Sequence, residues 1–323
     1  MKPHVLMLCP IRPDALARLE RGYHVHRLDQ APDPDALLDR HGAQIRAIVA
    51  NGHVPVTAAL LERLPALEIV SCSSAGYDSF DLAAMARRGV RLGNTSPALA
   101  QEVADMAMLL AAAAWRNLVA GDGWVRSGDW ARKGAFPVQR GLRGRRLGIV
   151  GMGTIGQHIA DLAGLLGLRV TYWNRSARPV AHSYQPDLLG LAKDSDILVV
   201  IVAGGEGTRG LISAPVMRAL GPEGLLVNIA RGSVVDEEAM IGLLQDGQLG
   251  AAALDVFATE PDVDPRLTAL PNVTLSPHQG SGTTETREAM AALTVDNLDA
   301  HFAGRPLPSE VSLPGSGATR PAE

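Results

Sequence analysis

The sequence predicts an α/β protein made of two domains, each with a parallel sheet, and a ligand cleft between them. Its 323 residues exceed the size of one ordinary hydrophobic core, so two domains are expected. Short β-rich runs alternate with helix-sized segments through most of the chain, which is the pattern of parallel βαβ units. The composition agrees, with 46% hydrophobic, 20% charged and only 4% aromatic residues.

The first part of the chain contains five β-rich runs. They read HVLMLC, YHVHRL, IRAIVAN, LEIVSC and VRLGN, and helical segments such as PDALARLE and DLAAMARRG separate them. A long Ala-rich helix is then expected from Ala98 to about Leu118. Ser96 is suited to cap its N-terminus and Pro97 to occupy its first position. We interpret this helix as the connection between the two domains.

Six apolar runs after the polar connection 121–144 predict a second parallel sheet. They read RLGIV, RVTYW, DILVVIV, LLVNIA, AAALDVF and NVTLS. The segment TTETREAMAALTVDNLDAHFAG then predicts a helix that returns the chain to the first domain. We therefore assign residues 1–97 and 282–323 to an outer domain and residues 98–281 to a second domain. The last stretch, RPLPSEVSLPGSGATRPAE, is rich in Pro, Gly and Ser, and its end is expected to be disordered.

Charge and cysteine content narrow the classes of partner. Thirty Lys and Arg against 34 Asp and Glu give a formal charge of −4, which predicts no binding to nucleic acid or to an anionic membrane. No apolar run looks long enough to span a membrane, and the N-terminus lacks a signal-peptide pattern, so we expect a cytoplasmic protein. Cys9 and Cys72 end apolar runs and are expected to be buried thiols.

A glycine-rich motif indicates a nucleotide site in the second domain. Gly151, Gly153 and Gly156 have the G-x-G-x-x-G spacing between a predicted strand and a predicted helix. This context predicts a Rossmann-like dinucleotide-binding domain, with the outer domain similarly Rossmann-like or flavodoxin-like. The pyrophosphate is expected at the helix N-terminus, next to the backbone N–H groups of Thr154 and Ile155.

The end of the next strand indicates which dinucleotide is bound. An NAD-specific domain would place Asp or Glu here for the ribose 2′-hydroxyl, whereas this chain has Asn174, Arg175 and Ser176. A guanidinium group and a hydroxyl suit a 2′-phosphate, with Arg178 as a further cation. We expect NADP(H) to be preferred, with NAD(H) as a possible substitute; a solvated surface arginine is the alternative interpretation.

Polar residues end the later strands of the second domain. Arg231, Asp255, Glu260 and His278 follow three apolar runs, and the carboxyl ends of parallel strands share one edge of a sheet. An Arg, a carboxylate and a His beside a nicotinamide suit the reduction of a 2-oxo acid. Arg231 would bind the substrate carboxylate, His278 would protonate the carbonyl oxygen, and Glu260 would orient the imidazole. No Cys or second His lies at ligand spacing near His278, so a metal is not expected.

These motifs together resemble those of the D-2-hydroxyacid dehydrogenases. The matching stretches cover nearly the whole chain in order: LEIVSCSSAGYDSFDL, GVRLGNTSPALAQEVADMAMLL, GIVGMGTIG, NIARGSVVDEEAM, AALDVFATEP and SPHQGSGT. YWNRSARP is similar to the NADPH-linked glyoxylate/hydroxypyruvate reductase and hydroxyphenylpyruvate reductase branch. The resemblance therefore implies an NAD(P)-dependent 2-oxo acid reductase.

The resemblance also implies roles for individual residues. Arg231, Glu260 and His278 would be the catalytic set, and backbone N–H groups around Ala75 and Gly76 would hold the substrate carboxylate. The cofactor site would further include these residues: Ala203 along the groove, Ile229 and Asp255 on the nicotinamide side, and Gly280.

The resemblance leaves rival functions open. A phosphite dehydrogenase of the same fold is one alternative, and a cofactor-sensing corepressor-like protein without enzymatic activity is another. Glu260 argues against a formate dehydrogenase, because those relatives pair the histidine with Gln. The family further implies a homodimer formed through the cofactor domain, with residues 118–145 as the contacting arm.

Overall fold

The computed structural model describes residues 2–314, and within them the chain divides into two units. Unit 1 comprises Met1–Leu99 with Thr283–Glu323, and unit 2 comprises Ala100–Gly282. Each unit contains one mainly parallel sheet, which confirms the predicted α/β class. The predicted disorder at the chain end concerns residues after 314 and lies outside the described residues.

Unit 1 is built on a six-stranded sheet. Its strands are β1 His4–Met7, β2 His24–Arg27, β3 Ile45–Ala50, β4 Ile69–Cys72, β5 Arg91–Gly93 and β13 Glu310–Val311. They lie in the order β13-β5-β4-β3-β1-β2, and all neighbours are parallel except β13 and β5. The parallel part follows the flavodoxin-like order, because the chain changes direction across the sheet between β1 and β3.

Helices cover both faces of this sheet. They are α1 Pro13–Gly22, α2 Pro34–His41, α3 Ala58–Glu62, α4 Leu82–Arg87 and α13 Thr284–Phe302. One face buries Ile48, Val70 and Leu92. The other face buries Val5 and Val49 with residues of α13, so residues near both ends of the chain share one core. Cys9 and Cys72 are buried free thiols, as predicted.

The long Ala-rich helix, α5, runs from Ser96 to Trp115. It ends earlier than predicted because Asn117 has a left-handed backbone conformation, with φ of 48°, which stops helical propagation. The prediction that no apolar run could span a membrane was wrong for α5. Judged by length and composition alone, this helix could cross a membrane. Half of its most apolar window is buried in the fold, as in a core helix.

Unit 2 is built on a seven-stranded sheet in which all strands are parallel. The strands are β6 Arg146–Val150, β7 Arg169–Trp173, β8 Ser183–Tyr184, β9 Ile197–Val200, β10 Leu225–Asn228, β11 Ala251–Leu254 and β12 Val273–Leu275. Their order is β12-β11-β10-β9-β6-β7-β8. The order reverses at β6, which lies between β7 and β9, and ligands of such sheets bind beyond the carboxyl ends of the strands at this point.

The helices of unit 2 flank this sheet and include two that precede it. They are α6 Leu118–Arg126, α7 Asp129–Lys133, α8 Thr154–Leu165, α9 Leu188–Lys193, α10 Ala214–Leu220, α11 Glu237–Gln245 and α12 Pro265–Ala269. The apolar faces of α9, α10 and α11 pack on β6, β9 and β10 around buried residues such as Val150, Leu198 and Leu226, whereas α6 and α7 bury none of their residues. Burial on both faces explains why these strands read as continuous apolar runs.

Candidate active site

The glycine-rich motif forms a tight turn between β6 and α8. Gly151 has φ of 112°, and a Cβ there would lie 2.9 Å from the carbonyl oxygen of Ile201. A Cβ on Gly156 would lie 2.1 Å from the carbonyl oxygen of Gly151, so only glycine lets α8 pack this close to the turn. At Gly153 a Cβ would meet nothing within 4 Å. The turn therefore has open space at its middle glycine and no space at the other two.

This open space fits the pyrophosphate of a nicotinamide dinucleotide. It adjoins the N-terminus of α8, where Thr154 and Ile155 are in the first turn and where no described side chain caps the helix. Backbone N–H groups and the positive end of the helix dipole favour an anion at such a position. The turn, rather than any charged side chain, supplies this part of the site.

The strand β7 ends at Asn174, which braces the glycine turn. Its Oδ1 accepts a hydrogen bond from the N–H of Met152 at 2.9 Å. Arg175 and Ser176 are exposed, and neither has a hydrogen-bond or ion-pair partner within residues 2–314. The structure therefore gives Asn174 a role in shaping the turn, and leaves the next two side chains open to a ligand.

His278 follows β12 and contacts Glu260. Nδ1 of His278 lies 2.7 Å from Oε2 of Glu260, and both side chains are about one-third exposed, at 33% and 28%. The other carboxylate oxygen, Oε1, accepts the N–H of Phe257 at 3.0 Å. A carboxylate can only accept here, so Nδ1 of the imidazole carries the hydrogen. Glu260 thus fixes both the direction and the tautomer of the ring.

The backbone of His278 has a left-handed conformation, with φ of 54°. Non-glycine residues rarely adopt it, and the surrounding structure has to compensate its cost of about 1 kcal/mol or more. Asp255 provides this support. Its carbonyl oxygen accepts the N–H of His278 at 2.9 Å, and its carboxylate accepts the N–H groups of Gln279 and Gly280, each at 2.7 Å.

Asp255 is almost fully buried, at 1% exposure, and the hydroxyl of Ser276 donates a fourth hydrogen bond to it at 2.6 Å. Both carboxylate oxygens are thus engaged by the turn that carries His278. A Cβ on Gly280 would lie 3.2 Å from Asp255 Oδ2 and 3.6 Å from Ile229 Cγ1, so these three residues are neighbours. Ala203 follows β9 and its carbonyl oxygen accepts the hydroxyl of Thr208 at 2.7 Å.

Arg231 follows β10 in a turn that packs against the loop carrying Glu260. A Cβ on Gly232 would lie 1.8 Å from the carbonyl oxygen of Phe257, which makes glycine obligatory there. Buried Asn228 spans the turn, because its side chain donates to the carbonyl oxygen of Arg231 at 3.0 Å and accepts the N–H of Ala230 at 3.1 Å. The guanidinium donates to the carbonyl oxygen of Ala230 at 2.7 Å.

Ala75 and Gly76 lie in unit 1, in the loop after β4. Their carbonyl oxygens accept from Asn94 Nδ2 at 3.2 Å and from the Cys72 thiol at 3.5 Å. Their N–H groups have no acceptor in the part of the chain that the structure describes. A Cβ on Gly52 would lie 2.3 Å from the Gly76 oxygen, so a neighbouring glycine permits the loop conformation. Two adjacent free N–H groups can bind a carboxylate.

The structure thus brings Glu260 and Asp255 into contact with His278, and Gly280 and Ile229 next to Asp255. Asn228 and Gly232 were not predicted as part of the site. Asn228 is a polar residue at the end of an apolar strand, which is a signal that the sequence offered; Gly232 acts through a contact that the sequence does not reveal.

Comparison with known proteins decides the family. The family model described as "D-isomer specific 2-hydroxyacid dehydrogenase, NAD binding domain" matches residues 106–280, more than half of the chain. The chain belongs to the D-2-hydroxyacid dehydrogenases. This confirms the resemblance drawn from the motifs, and it makes the protein an NAD(P)-dependent oxidoreductase that acts on 2-oxo acids.

Relatives of this D-2-hydroxyacid dehydrogenase align along nearly its whole length. Glyoxylate/hydroxypyruvate reductase A of Arabidopsis thaliana is 44% identical over 94% of this chain and 97% of its own. Hydroxyphenylpyruvate reductase of Plectranthus scutellarioides is 41% identical, with the same coverage. A solved NADPH-dependent glyoxylate/hydroxypyruvate reductase of Sinorhizobium meliloti, in complex with NADP and malonate, has a TM-score of 0.89 at 38% identity, with 97% of each chain covered.

Proposed function

We propose that the protein is an NADPH-dependent reductase that converts glyoxylate, hydroxypyruvate or a related 2-oxo acid to the D-2-hydroxy acid. The observation that carries this proposal is the 2.7 Å contact between His278 and Glu260. Both follow strands of the sheet whose strand β6 leads into the glycine turn. The names of the Arabidopsis and Sinorhizobium relatives support the substrate class and the cofactor.

In this proposal His278 is the proton donor. Glu260 accepts the hydrogen on Nδ1, so proton transfer runs through Nε2. Protonated His278 gives the Nε2 proton to the carbonyl oxygen and becomes the neutral imidazole, still oriented by Glu260. NADPH, when bound, supplies the hydride that the carbonyl carbon receives. The product is then a hydroxyl group on the former carbonyl carbon.

Arg231 and the loop at Ala75 and Gly76 are proposed to bind the substrate carboxylate. A guanidinium group can bind both carboxylate oxygens at once, which fixes the plane of the 2-oxo acid. Asn228 and Gly232 hold the Arg231 turn, so the guanidinium is positioned by backbone contacts. The unpaired N–H groups of Ala75 and Gly76 are suited to the same kind of anion.

Arg175 and Ser176 are proposed to bind the 2′-phosphate of NADPH. Asn174 Oδ1 already accepts the N–H of Met152 in the glycine turn, and no carboxylate stands at this strand end to bind a ribose 2′-hydroxyl. An exposed guanidinium beside a hydroxyl suits a phosphate group. NADH is expected to bind as the weaker cofactor.

We assign cofactor binding to residues 98–281 and substrate binding to residues 1–97 and 282–323. We also propose a homodimer. Large apolar side chains are exposed along one segment of unit 2: Leu118, Val119, Val125, Trp130 and Val138. Such a concentration is typical of a surface that another protein covers, and a second copy of this chain is the proposed occupant. A cytoplasmic location remains our expectation.

The first experiment measures NADPH oxidation with glyoxylate, hydroxypyruvate and 4-hydroxyphenylpyruvate, and compares the parent with His278→Asn. Asn tolerates the left-handed backbone at this position better than Ala, so the turn is kept. We expect kcat to fall about 10²- to 10⁴-fold while the Kd for NADPH, measured by fluorescence titration, stays unchanged.

Two results would contradict the proposal. One is a variant that binds NADPH and keeps the parent kcat, which would remove His278 from the chemistry. The other is reduction of NADP⁺ by phosphite in the absence of any 2-oxo acid turnover, which would favour the phosphite dehydrogenase alternative. His182→Asn serves as the matched control, because His182 lies in unit 2 outside the proposed site.

A further inference from the structure

Four histidines form a cluster in unit 1, and the proposed function uses none of them. His4 lies on β1, His24 and His26 lie on β2, and His41 is the last residue of α2. The ring centroid of His4 lies 4.9 Å from that of His24 and 5.1 Å from that of His26. The ring centroids of His26 and His41 are 4.4 Å apart. We call these residues the four-histidine cluster.

Strand pairing explains why these side chains meet. His4 and His24 are register partners in the parallel pair of β1 and β2, so their side chains share one face of the sheet. His26 is two residues further along the strand and projects from that same face. The C-terminus of α2 brings His41 against it. Strand β2 is the edge of the six-stranded sheet, so the cluster joins an edge strand to its single neighbour and to a helix.

The hydrogen bond inside the cluster requires at least one neutral ring. Nδ1 of His4 lies 2.9 Å from Nε2 of His26, and a hydrogen bond at this distance needs one of the two nitrogens to be unprotonated. Burial, and then the charges of His41, His4 and His24, lower the pKa of His26 to about 4. Burial and the neighbouring histidines also lower the pKa of His4.

Carboxylates on the surrounding elements do not offset this repulsion. The elements that carry the cluster, and the elements that contact them, also carry these charged groups: Lys2 before β1, Arg27 on β2, Asp29 after β2, Glu20 and Arg21 on α1, Asp35, Asp39 and Arg40 on α2, and Arg46 on β3. Arg27 binds Asp29, Arg63 of α3's C-terminus binds Asp35 and Asp39, and Arg46 binds Glu68. The charges that act on His4 and His26 are those of the other histidines.

A metal ion is not the favoured occupant. Within residues 2–314, no three His, Cys, Asp or Glu side chains are arranged so that they could hold one metal ion. The rings stack and hydrogen-bond to one another instead of converging on a point. The geometry therefore points to protons as the species that the cluster responds to.

We propose that the four-histidine cluster is an acid-sensitive switch that holds the edge strand β2 in place at neutral pH and releases it when the histidines take up protons. Protonation of both His4 and His26 breaks their hydrogen bond, and protonation across the cluster places like charges within 5 Å of each other. Because folding lowers the pKa of His26 from 6.5, its contribution is present above about pH 6.5 and is lost as the pH falls towards about 4.

The test is hydrogen exchange of the whole protein, followed by mass spectrometry at about pH 7.5 and about pH 5 and corrected for intrinsic exchange rates. If the pKa of His26 is about 4 in the folded protein and 6.5 when β2 is detached, the equilibrium constant for detaching β2 rises by about 30-fold at pH 5. Because the ring is partly exposed to solvent, we expect an increase on the order of 10-fold. We expect the protection of peptides covering β1 and β2 to fall by that factor in the parent.

His26→Phe retains a stacking ring that cannot titrate, and His26→Gln is used if the Phe variant does not fold. In either variant the acid-induced loss of protection at β2 should be smaller than in the parent, and what is left is the part due to His4. Peptides covering β7 provide an internal reference, and His182→Gln is the control for removing a histidine elsewhere. An equal loss of β2 protection in parent and variant would overturn the proposal. So would a loss of protection at pH 7.5 on adding EDTA, because this would identify a bound metal.

Discussion

Asp255 shows how a single buried side chain can set the geometry of a site. Its carboxylate accepts from Ser276, Gln279 and Gly280, and its carbonyl oxygen holds the left-handed His278. The sequence resemblance implied that Asp255 meets the nicotinamide side, and Ile229 does lie beside Gly280. The hydrogen bonds indicate that Asp255 acts through the turn, as a positioning residue for His278.

Arg175 gives the sharpest test of cofactor choice at the residue scale. Arg175→Ala should lower kcat/KM with NADPH by about 10- to 100-fold, because a charge-assisted contact with the 2′-phosphate is lost. With NADH, which has no phosphate there, kcat/KM should change little. Steady-state kinetics with both cofactors and one saturating 2-oxo acid measure the difference.

Arg218→Ala is the matched control, because Arg218 is exposed on α10 of the same unit and bonds only Gln248 among the described residues. It should leave the ratio of the two kcat/KM values unchanged. Equal losses with NADPH and NADH in Arg175→Ala would argue that Arg175 supports the fold or the adenosine instead of the phosphate.

At the scale of elements, one glycine in a turn of the candidate site can be compared with one inside a helix. A Cβ on Gly232 would lie 1.8 Å from backbone of the Glu260 loop, whereas a Cβ on Gly242, inside α11, would meet nothing within 4 Å. Gly232→Ala should therefore destabilise unit 2 by about 3 kcal/mol or more and abolish activity. Gly242→Ala should stabilise it by about 0.5–1 kcal/mol with activity retained.

Urea unfolding midpoints and kcat of the two variants check this pair. A Gly232→Ala protein with parent stability and parent kcat would show that the Arg231 turn can move away from Phe257 without consequence. In that case the positioning of Arg231 would not depend on the contact between these two loops.

All eleven runs that the sequence predicted contain a strand. Most of these strands are apolar because both faces are buried, whereas the edge strands β2 and β12 have no buried residue and were recognised from short β-rich runs. Strands β8 and β13 were missed, since each has two residues and pairs at a sheet edge. The break at Asn117 was also missed, because it depends on a left-handed backbone conformation that many asparagines do not adopt.

The sequence suggested candidate site residues where side-chain type carries the chemistry. These candidates are the spaced glycines, Arg231, Glu260 and His278, and their roles stay predictions. The supporting contacts could not be recognised from the sequence, because they join backbone atoms of residues far apart in the chain, as Gly232 does with Phe257. The sequence suggested that Glu260, eighteen positions before His278, orients the imidazole, and in the structure Oε2 of Glu260 lies 2.7 Å from Nδ1 of His278.

The proposed dimer gives a prediction for the whole molecule. Trp130 is 62% exposed, and with Val125, Gly128 and Ala131 it lines an open cavity of about 360 Å³. Trp130→Glu places a charge on this apolar surface and should convert a dimer to a monomer in light scattering coupled to size-exclusion chromatography.

The control for this experiment is Leu165→Glu, because Leu165 on α8 is 79% exposed and lies outside the 118–145 segment. It should leave the oligomeric state unchanged. A parent protein that is monomeric at micromolar concentration, or a dimer that survives Trp130→Glu, would contradict the assignment of this surface.

The position of α13 has a consequence for biosynthesis. One face of the unit 1 sheet needs Val295 and Leu298 of α13 to cover Val5 and Val49, which are translated about 250 to 290 residues earlier. Unit 2 is a continuous stretch of chain, so it can fold while the residues after Gly282 are still being translated. One face of β1 and β3 therefore stays uncovered until α13 has been translated. Chaperones that shield apolar strands would therefore act on the beginning of this chain.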